Sequence, residues 1–179
     1  MWEYFCVFAV YLLLLIWLLQ VVFLQYYYTG AMARQTLNGA KQLVKMYNEK
    51  RVDFSDIRTF NLDEYYPISA DNPQSYHYFM EENLFSKINI KKENTHILDG
   101  KCSDTFAECD NFEKLIAQNG GIDLQILGIG QNGHIGFNEP AENLNLLTHL
   151  TSLTESTVRA NSRFFDDISD VPTKALTMG

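Results

Sequence analysis

Strand-like segments alternate with helical segments along most of the chain. The β-prone runs cover residues 57–62, 95–98 and 122–129. Such alternation is typical of βαβ units, in which helices cover a parallel sheet. We therefore predict an α/β fold with a Rossmann-like, doubly wound, mostly parallel sheet. The predicted helices cover residues 38–50, 74–85 and 105–118.

The N-terminal part differs from the rest in composition. No Asp, Glu, Lys or Arg occurs from Tyr4 to Ala33, and residues 5–24 are apolar over the length that a membrane-spanning helix needs. We predict two parts, an apolar segment at 1–35 and a partial α/β domain at 36–179. The segment is interpreted as a transmembrane helix or as frame-shifted sequence, and the alternative is a strand and helix of a globular core.

Charge and cysteine content exclude several classes of protein. The 14 basic residues are outnumbered by 22 acidic ones, which argues against nucleic-acid binding. The three cysteines, Cys6, Cys102 and Cys109, form no CxxC or Cys/His metal spacing. We therefore predict reduced thiols and no structural metal site.

Two predicted strands end in polar residues, at the sheet edge where ligands bind in open α/β folds. One end carries Asp63, and the other runs into the glycine-rich segment 127–140. That segment contains Gly128, Gly130 and Gly133 in the spacing of a dinucleotide fingerprint. Gly136 and Pro140 interrupt the helix that such a site requires. A glycine-lined sugar or phosphate site is therefore favoured over a nicotinamide site.

Individual residues leave alternatives open. His134 with Glu139 five residues later could be a tuned acid–base pair, or a loop histidine bonded to backbone. Asp63 could be a catalytic carboxylate or a helix cap. Arg163 could bind an anion, or could pair at the surface with Asp166 or Asp167.

Five motifs occur in an order that resembles a known family. The chain resembles the glucosamine-6-phosphate deaminases of the glucosamine/galactosamine-6-phosphate isomerase family from about residue 43 to 179. The His-Ile-Gly-Phe-Asn-Glu-Pro run within the third motif is the most specific part. The motifs lie at 60–65, 75–80, 127–140, 159–165 and 171–179.

The resemblance implies conversion of glucosamine 6-phosphate and water to fructose 6-phosphate and ammonia, without a metal or organic cofactor. It implies that Asp63 moves a proton between C2 and C1, and that His134, tuned by Glu139, assists ring opening. Asn132 would orient groups beside the histidine, and Arg163 would bind the phosphate. The glycines that would let backbone N–H groups approach the sugar are Gly128, Gly130, Gly133 and Gly136.

The resemblance also has departures. The family's first strand and phosphate loop should precede the helix near Lys41, and its members continue beyond the last residue of this chain. We therefore predict an enzyme of this type, classed as a hydrolase, whose domain is incomplete at both ends, with an inactive fragment as the alternative. The alternatives are a related sugar-phosphate isomerase or lactonase, and an inactive membrane-anchored remnant. The resemblance implies a homo-oligomer and a cytoplasmic location. The alternative location is a membrane-anchored chain with its α/β domain in the cytoplasm, which applies if residues 5–24 are native.

Overall fold

The computed structural model of the chain describes residues 21–22, 30–127, 129 and 133–179. The helices are α1 (Gly30–Asn48), α2 (Tyr76–Asn83), α3 (Thr105–Gln118) and α4 (Glu155–Asn161). The strands are β1 (Val21–Val22), β2 (Thr59–Phe60), β3 (Asp63–Tyr66), β4 (Thr95–His96), β5 (Leu124–Gln125), β6 (His149–Ser152) and β7 (Lys174–Thr177). Single 3₁₀ turns cover Phe85–Lys87, Lys92–Asn94, Ser162–Phe164 and Ile168–Asp170.

The described strands form both parallel and antiparallel pairs. β1 runs parallel to β5, and β2 runs parallel to β4. β3, β7 and β6 form an antiparallel sheet in that order. The α/β class is therefore confirmed, but the predicted Rossmann-like, mostly parallel sheet is not. Local sequence patterns identify strands without identifying their partners. The run predicted at 57–62 contains β2, and β3, which follows that run directly, joins a different sheet.

The helices were easier to predict than the strands. The helix predicted at 105–118 is confirmed, because α3 covers those residues. Asp104 is its N-cap, and the Asp104 side chain accepts from the backbone N–H groups of Phe106 and Ala107. Glu108 accepts a hydrogen bond from the backbone N–H of Asp99 at 2.8 Å. α2 begins after Ser75, whose side chain caps it.

The predicted apolar N-terminal helix is not found among the described residues. Val21 and Val22, within the predicted span, form β1 and pair with Leu124 and Gln125. A helix of sufficient length and apolar character to span a bilayer is absent from the part of the chain that the structure describes. The remaining residues of the predicted span, 5–20 and 23–24, lie outside that part.

The antiparallel sheet separates two clusters of buried side chains. Side chains alternate between the faces of a strand, so Ala175 and Leu176 of β7 point to opposite sides. Ala175 belongs to an aromatic cluster that also contains Tyr65, Tyr76 and Phe137. The other cluster packs the sheet against α3 and contains Phe60, Leu62, Leu98, Cys109, Phe112, Leu176 and Met178. Asp63 and Thr177, a cross-strand pair, lie on the same face as Ala175.

Candidate functional site

Asp63 lies at the start of β3 and is buried. Its Oδ1 accepts a hydrogen bond from the hydroxyl of Thr177 on β7. Burial raises the pKa of Asp63 to about 7, against the opposing effect of the Thr177 hydrogen bond. Because desolvation penalises the charged form, this carboxyl group exchanges a proton near neutral pH. The structure thus gives the predicted residue the property that a general acid–base group needs.

The predicted glycine-rich loop passes directly over Asp63. Gly136 has φ +60°, and a Cβ atom there would lie 2.7 Å from Leu62 Cδ2 and 3.1 Å from Asp63 Oδ1. Neither the conformation nor the space admits a side chain without strain. Asn138 fixes the loop to the end of β7, because its Nδ2 donates to the carbonyl of Met178 at 2.7 Å. The close approach brings residues from distant parts of the sequence together.

His134 and Glu139 stand at the two ends of the same tight turn. Ile135 and Asn138 between them exchange backbone hydrogen bonds at 3.1 and 3.0 Å. The turn places His134 Nδ1 3.9 Å from Glu139 Oε2. Burial lowers the pKa of His134, and the nearby Glu139 carboxylate partly opposes this. A histidine with a lowered pKa is neutral at pH 7, so it can accept a proton at one ring nitrogen and donate one from the other.

The carboxylate of Glu139 is held by α4. The hydroxyls of Thr154 and Thr157 donate to Glu139 Oε1 at 2.9 and 2.8 Å. Thr154 is also the N-cap residue of α4, so the start of this helix and the position of the carboxylate depend on the same side chain. These threonines were missed by the sequence analysis, because no spacing relates them to Glu139.

Glu64, the neighbour of Asp63, is a second buried carboxylate. Its oxygens accept from the backbone N–H groups of Tyr76 and His77, both at 3.0 Å, and from the hydroxyl of Ser75 at 3.2 Å. It therefore stabilises the first turn of α2. Burial nevertheless raises its pKa to about 7. Alternation along β3 could have predicted that the two adjacent carboxylates have different roles.

Arg163 lies in the 3₁₀ turn after α4, with an exposed side chain whose guanidinium stacks on Phe164 at 4.7 Å from the ring centre. No carboxylate within the described residues forms an ion pair with it, which excludes the predicted surface pair with Asp166 or Asp167 there. The turn adjoins the aromatic cluster, because Phe165 contacts Tyr65 edge-on at 5.9 Å. Among the described residues, the ion pairs include none between Arg163 and Asp63.

The remaining predicted positions fall partly outside the described residues. Gly128, Gly130 and Asn132 lie outside them, so their predicted roles stay predictions. Gly133 is described, and its φ of +89° is one that glycine adopts readily. Within the described ranges, no three His, Cys, Asp or Glu side chains are grouped as a metal site requires.

The arrangement defines a class of site: a buried carboxylate and a carboxylate-paired histidine, joined by a glycine-rich turn on an α/β fold. The sequence profile of the glucosamine-6-phosphate isomerases/6-phosphogluconolactonases matches residues 31–139. This match covers more than half of the chain, and the chain therefore belongs to that family.

Individual members of the family show which named proteins the chain resembles. The chain is 58% identical over 139 residues to a glucosamine-6-phosphate deaminase of Halothermothrix orenii, covering 78% of this chain and 58% of that protein. A solved monomeric glucosamine-6-phosphate deaminase is 39% identical, with a TM-score of 0.81 over 89% of this chain and 63% of the other. A 6-phosphogluconolactonase from Trypanosoma cruzi, 16% identical with a TM-score of 0.62 over 98% of this chain and 69% of the other, shares the fold. The chain thus spans less than two thirds of the length of the deaminases it matches.

Proposed function

We propose that the chain acts as a glucosamine-6-phosphate deaminase, converting glucosamine 6-phosphate and water to fructose 6-phosphate and ammonia. The observation that carries this proposal is the close approach of Gly136 to Asp63, which joins the buried carboxylate to the His134–Glu139 pair. The identity to proteins named as deaminases supports the same substrate.

Opening of the pyranose ring is the first step that the His134–Glu139 pair can assist. The pyranose opens when a proton leaves the hydroxyl on C1 and another reaches the ring oxygen. A neutral imidazole can perform both transfers in turn. In this proposal His134 makes the transfers, and Glu139, held by two threonine hydroxyls, orients the ring and stabilises its protonated form.

Asp63 then moves a proton between adjacent carbons. Its carboxylate removes the proton from C2 of the open-chain aldehyde and returns it to C1, while a proton passes from the amine nitrogen to the C1 oxygen; the product has a hydroxyl at C1 and an imine at C2. Water hydrolyses the imine, releasing ammonia and leaving the ketone of fructose 6-phosphate. A pKa of about 7 suits a group that must take a proton and give it back at neutral pH.

The phosphate and the sugar hydroxyls require further donors. We assign the phosphate to Arg163, whose guanidinium is exposed and unpaired among the described side chains. Backbone N–H groups at Gly128, Gly130, Gly133 and Gly136 would approach the sugar, and Asn132 would orient it. These assignments follow from the family resemblance.

A coupled assay for ammonia and fructose 6-phosphate tests the proposal on the purified chain. We expect Asp63→Asn and His134→Gln each to reduce kcat by at least about 100-fold, the range lost with a general acid–base group. Matched controls are Asp56→Asn, an exposed carboxylate that forms an ion pair with Lys91, and His77→Gln on the exposed side of α2. Both controls should retain wild-type rates.

The same preparation separates the alternatives. Hydrolysis of 6-phosphogluconolactone without ammonia release would replace the deaminase by the lactonase activity that the family also contains. A chain that is folded by circular dichroism but turns over neither substrate would contradict the proposal and favour the inactive remnant.

Three further predictions are separate proposals. We propose the domain division at 1–35 and 36–179, although α1 (Gly30–Asn48) crosses that boundary.

A homo-oligomer is proposed by resemblance, whereas the related solved deaminase is described as monomeric. Light scattering measures the oligomeric state. Fractionation of cells expressing the chain distinguishes the proposed cytoplasmic location from the membrane-anchored alternative.

A further inference from the structure

Thr177 connects the candidate base to the loop that passes over it. Its side chain is fully buried at the end of β7 and pairs across the sheet with Asp63. Its hydroxyl oxygen lies 3.4 Å from the backbone nitrogen of Phe137 and 3.5 Å from Nδ2 of Asn138. The same oxygen hydrogen-bonds Oδ1 of Asp63. One hydroxyl group therefore contacts β3 and the glycine-rich turn together.

The surroundings fix the direction of the hydroxyl proton. A threonine hydroxyl has one hydrogen to donate and two lone pairs to accept with. The backbone N–H of Phe137 lies toward one lone pair, whereas the two hydrogens of Asn138 Nδ2 have closer acceptors in the carbonyls of Met178 and Ile135. Because an ionised carboxylate oxygen can only accept, the hydroxyl supplies the hydrogen of any bond between them. Two acceptors are in reach, the carbonyl of Met178 at 3.3 Å and the much closer Oδ1 of Asp63. The hydroxyl thus donates to Asp63.

The two oxygens of Asp63 consequently differ. Oδ1 is occupied by Thr177, whereas Oδ2 is buried and has no hydrogen-bond partner among the described residues. We propose that Thr177 is a positioning residue for the reaction: it anchors Oδ1 and thereby presents Oδ2 as the atom that takes and returns the substrate proton. This inference rests on the proposed function.

Thr177 acts on the pKa of Asp63 in the direction opposite to burial and to the neighbouring carboxylate. Glu64, the next residue of β3, raises the pKa of Asp63, as burial does. The overlying turn carries His134 and Glu139 at its ends. Thr177 and, to a smaller extent, the backbone N–H of Phe137 favour the ionised form, because a donor bonds a carboxylate more strongly than a neutral acid. Removing the hydroxyl therefore reduces the fraction of Asp63 that is a base.

The test compares Thr177→Val, which keeps the volume and removes the hydroxyl, with Thr177→Ser, which keeps the hydroxyl. Asp63 is followed by its side-chain ¹³C NMR titration in the full chain, with the signal assigned through Asp63→Asn. We expect Thr177→Val to move the pKa of Asp63 upward from about 7 and to lower kcat at pH 7 by roughly fivefold or more, with the acid limb of the pH profile displaced to higher pH. Thr177→Ser should restore both, and Thr151→Val on β6 should change neither.

The outcomes separate this inference from the proposed function. An unchanged Asp63 titration in folded Thr177→Val would overturn the positioning role, whatever the activity. A displaced titration in a chain whose wild type releases no ammonia would support the anchoring of Oδ1 and contradict the deaminase proposal. If Thr177→Val does not fold, Thr177→Ala, which also removes the hydroxyl, decides: an Asp63 titration displaced upward in the folded variant supports the inference, and an unchanged one overturns it.

Discussion

Gly136 is the residue at which backbone conformation and site geometry are most tightly linked. Its φ of +60° is unfavourable for other residues, and its Cβ position lies within 3.2 Å of atoms in Leu62, Asp63 and Thr177. We expect Gly136→Ala to lower the free energy of unfolding by about 2–4 kcal/mol, from the left-handed conformation together with overpacking. Urea denaturation measures this loss, and the assay should show that activity falls as well.

Gly39 provides the matched control for that substitution. It lies within α1, and a Cβ atom there would meet nothing within 4 Å. Because alanine favours a helix over glycine, Gly39→Ala should stabilise the chain by up to about 1 kcal/mol. Equal effects of the two substitutions would show that the Gly136 contacts do not constrain the site.

Sequence patterns predict the residues with proposed chemical roles better than they predict the residues whose hydrogen bonds position those side chains. His134, Glu139 and Gly136 lie in one contiguous run, so their closeness is a local property of the chain. Asp63 was recognised by its place after a strand and by the motif around it. Thr154, Thr157 and Thr177 act only through tertiary contacts, and no spacing in the sequence distinguishes them from other threonines.

At the level of elements, the start of α2 depends on a side chain from β3. Glu64 accepts two backbone N–H groups of its first turn, which have no earlier carbonyl partner within the helix. We expect Glu64→Ala to cost about 3 kcal/mol, because it leaves buried donors unsatisfied. Ser75→Ala, which removes the N-cap side chain, should cost about 1 kcal/mol. Chemical denaturation measures both losses.

Asp104 is the control for this prediction. It caps α3 through two backbone N–H groups, but at an exposed position. Asp104→Ala should therefore cost about 1 kcal/mol, the usual effect of losing an N-cap. A loss at Glu64 no greater than that at Asp104 would contradict the argument that burial makes the Glu64 interaction stronger.

Helices were predicted with better bounds than strands for a physical reason. α3 is specified by its own residues: an apolar face, a polar start and the Asn119-Gly120-Gly121 stop. The strands are only two to four residues long in the structure. Their limits and directions depend on partners distant in the sequence, such as β3 and β7. Short local patterns cannot encode that pairing, which is why the antiparallel sheet was not predicted.

For the whole molecule, the buried carboxyl groups of β3 make stability depend on pH. The pKa of Asp63 is raised from 3.8 to about 7 on folding, so the folded state binds more protons than the unfolded state between these values. The stabilising contribution of protonated Asp63 is complete below pH 4 and is lost as the pH rises through 7. Glu64 acts in the same direction, whereas His134, whose pKa burial lowers, opposes them as the pH falls below the ordinary histidine value of 6.5.

Asp63→Asn isolates this effect, because the amide keeps an acceptor for Thr177 and cannot ionise. We expect the variant to be inactive yet more stable than wild type at pH 8, by on the order of 1–3 kcal/mol, with the difference shrinking toward pH 5. Urea denaturation at the two pH values measures it, and Asp56→Asn at an exposed site should show no such dependence. A difference that is constant with pH would mean that Asp63 is ionised throughout this range, and its proposed role as a proton carrier near neutrality would then be wrong. The burial that raises the pKa of Asp63 thus has two effects: it costs stability when the carboxyl group ionises, and it lets the group take and return a proton near neutral pH.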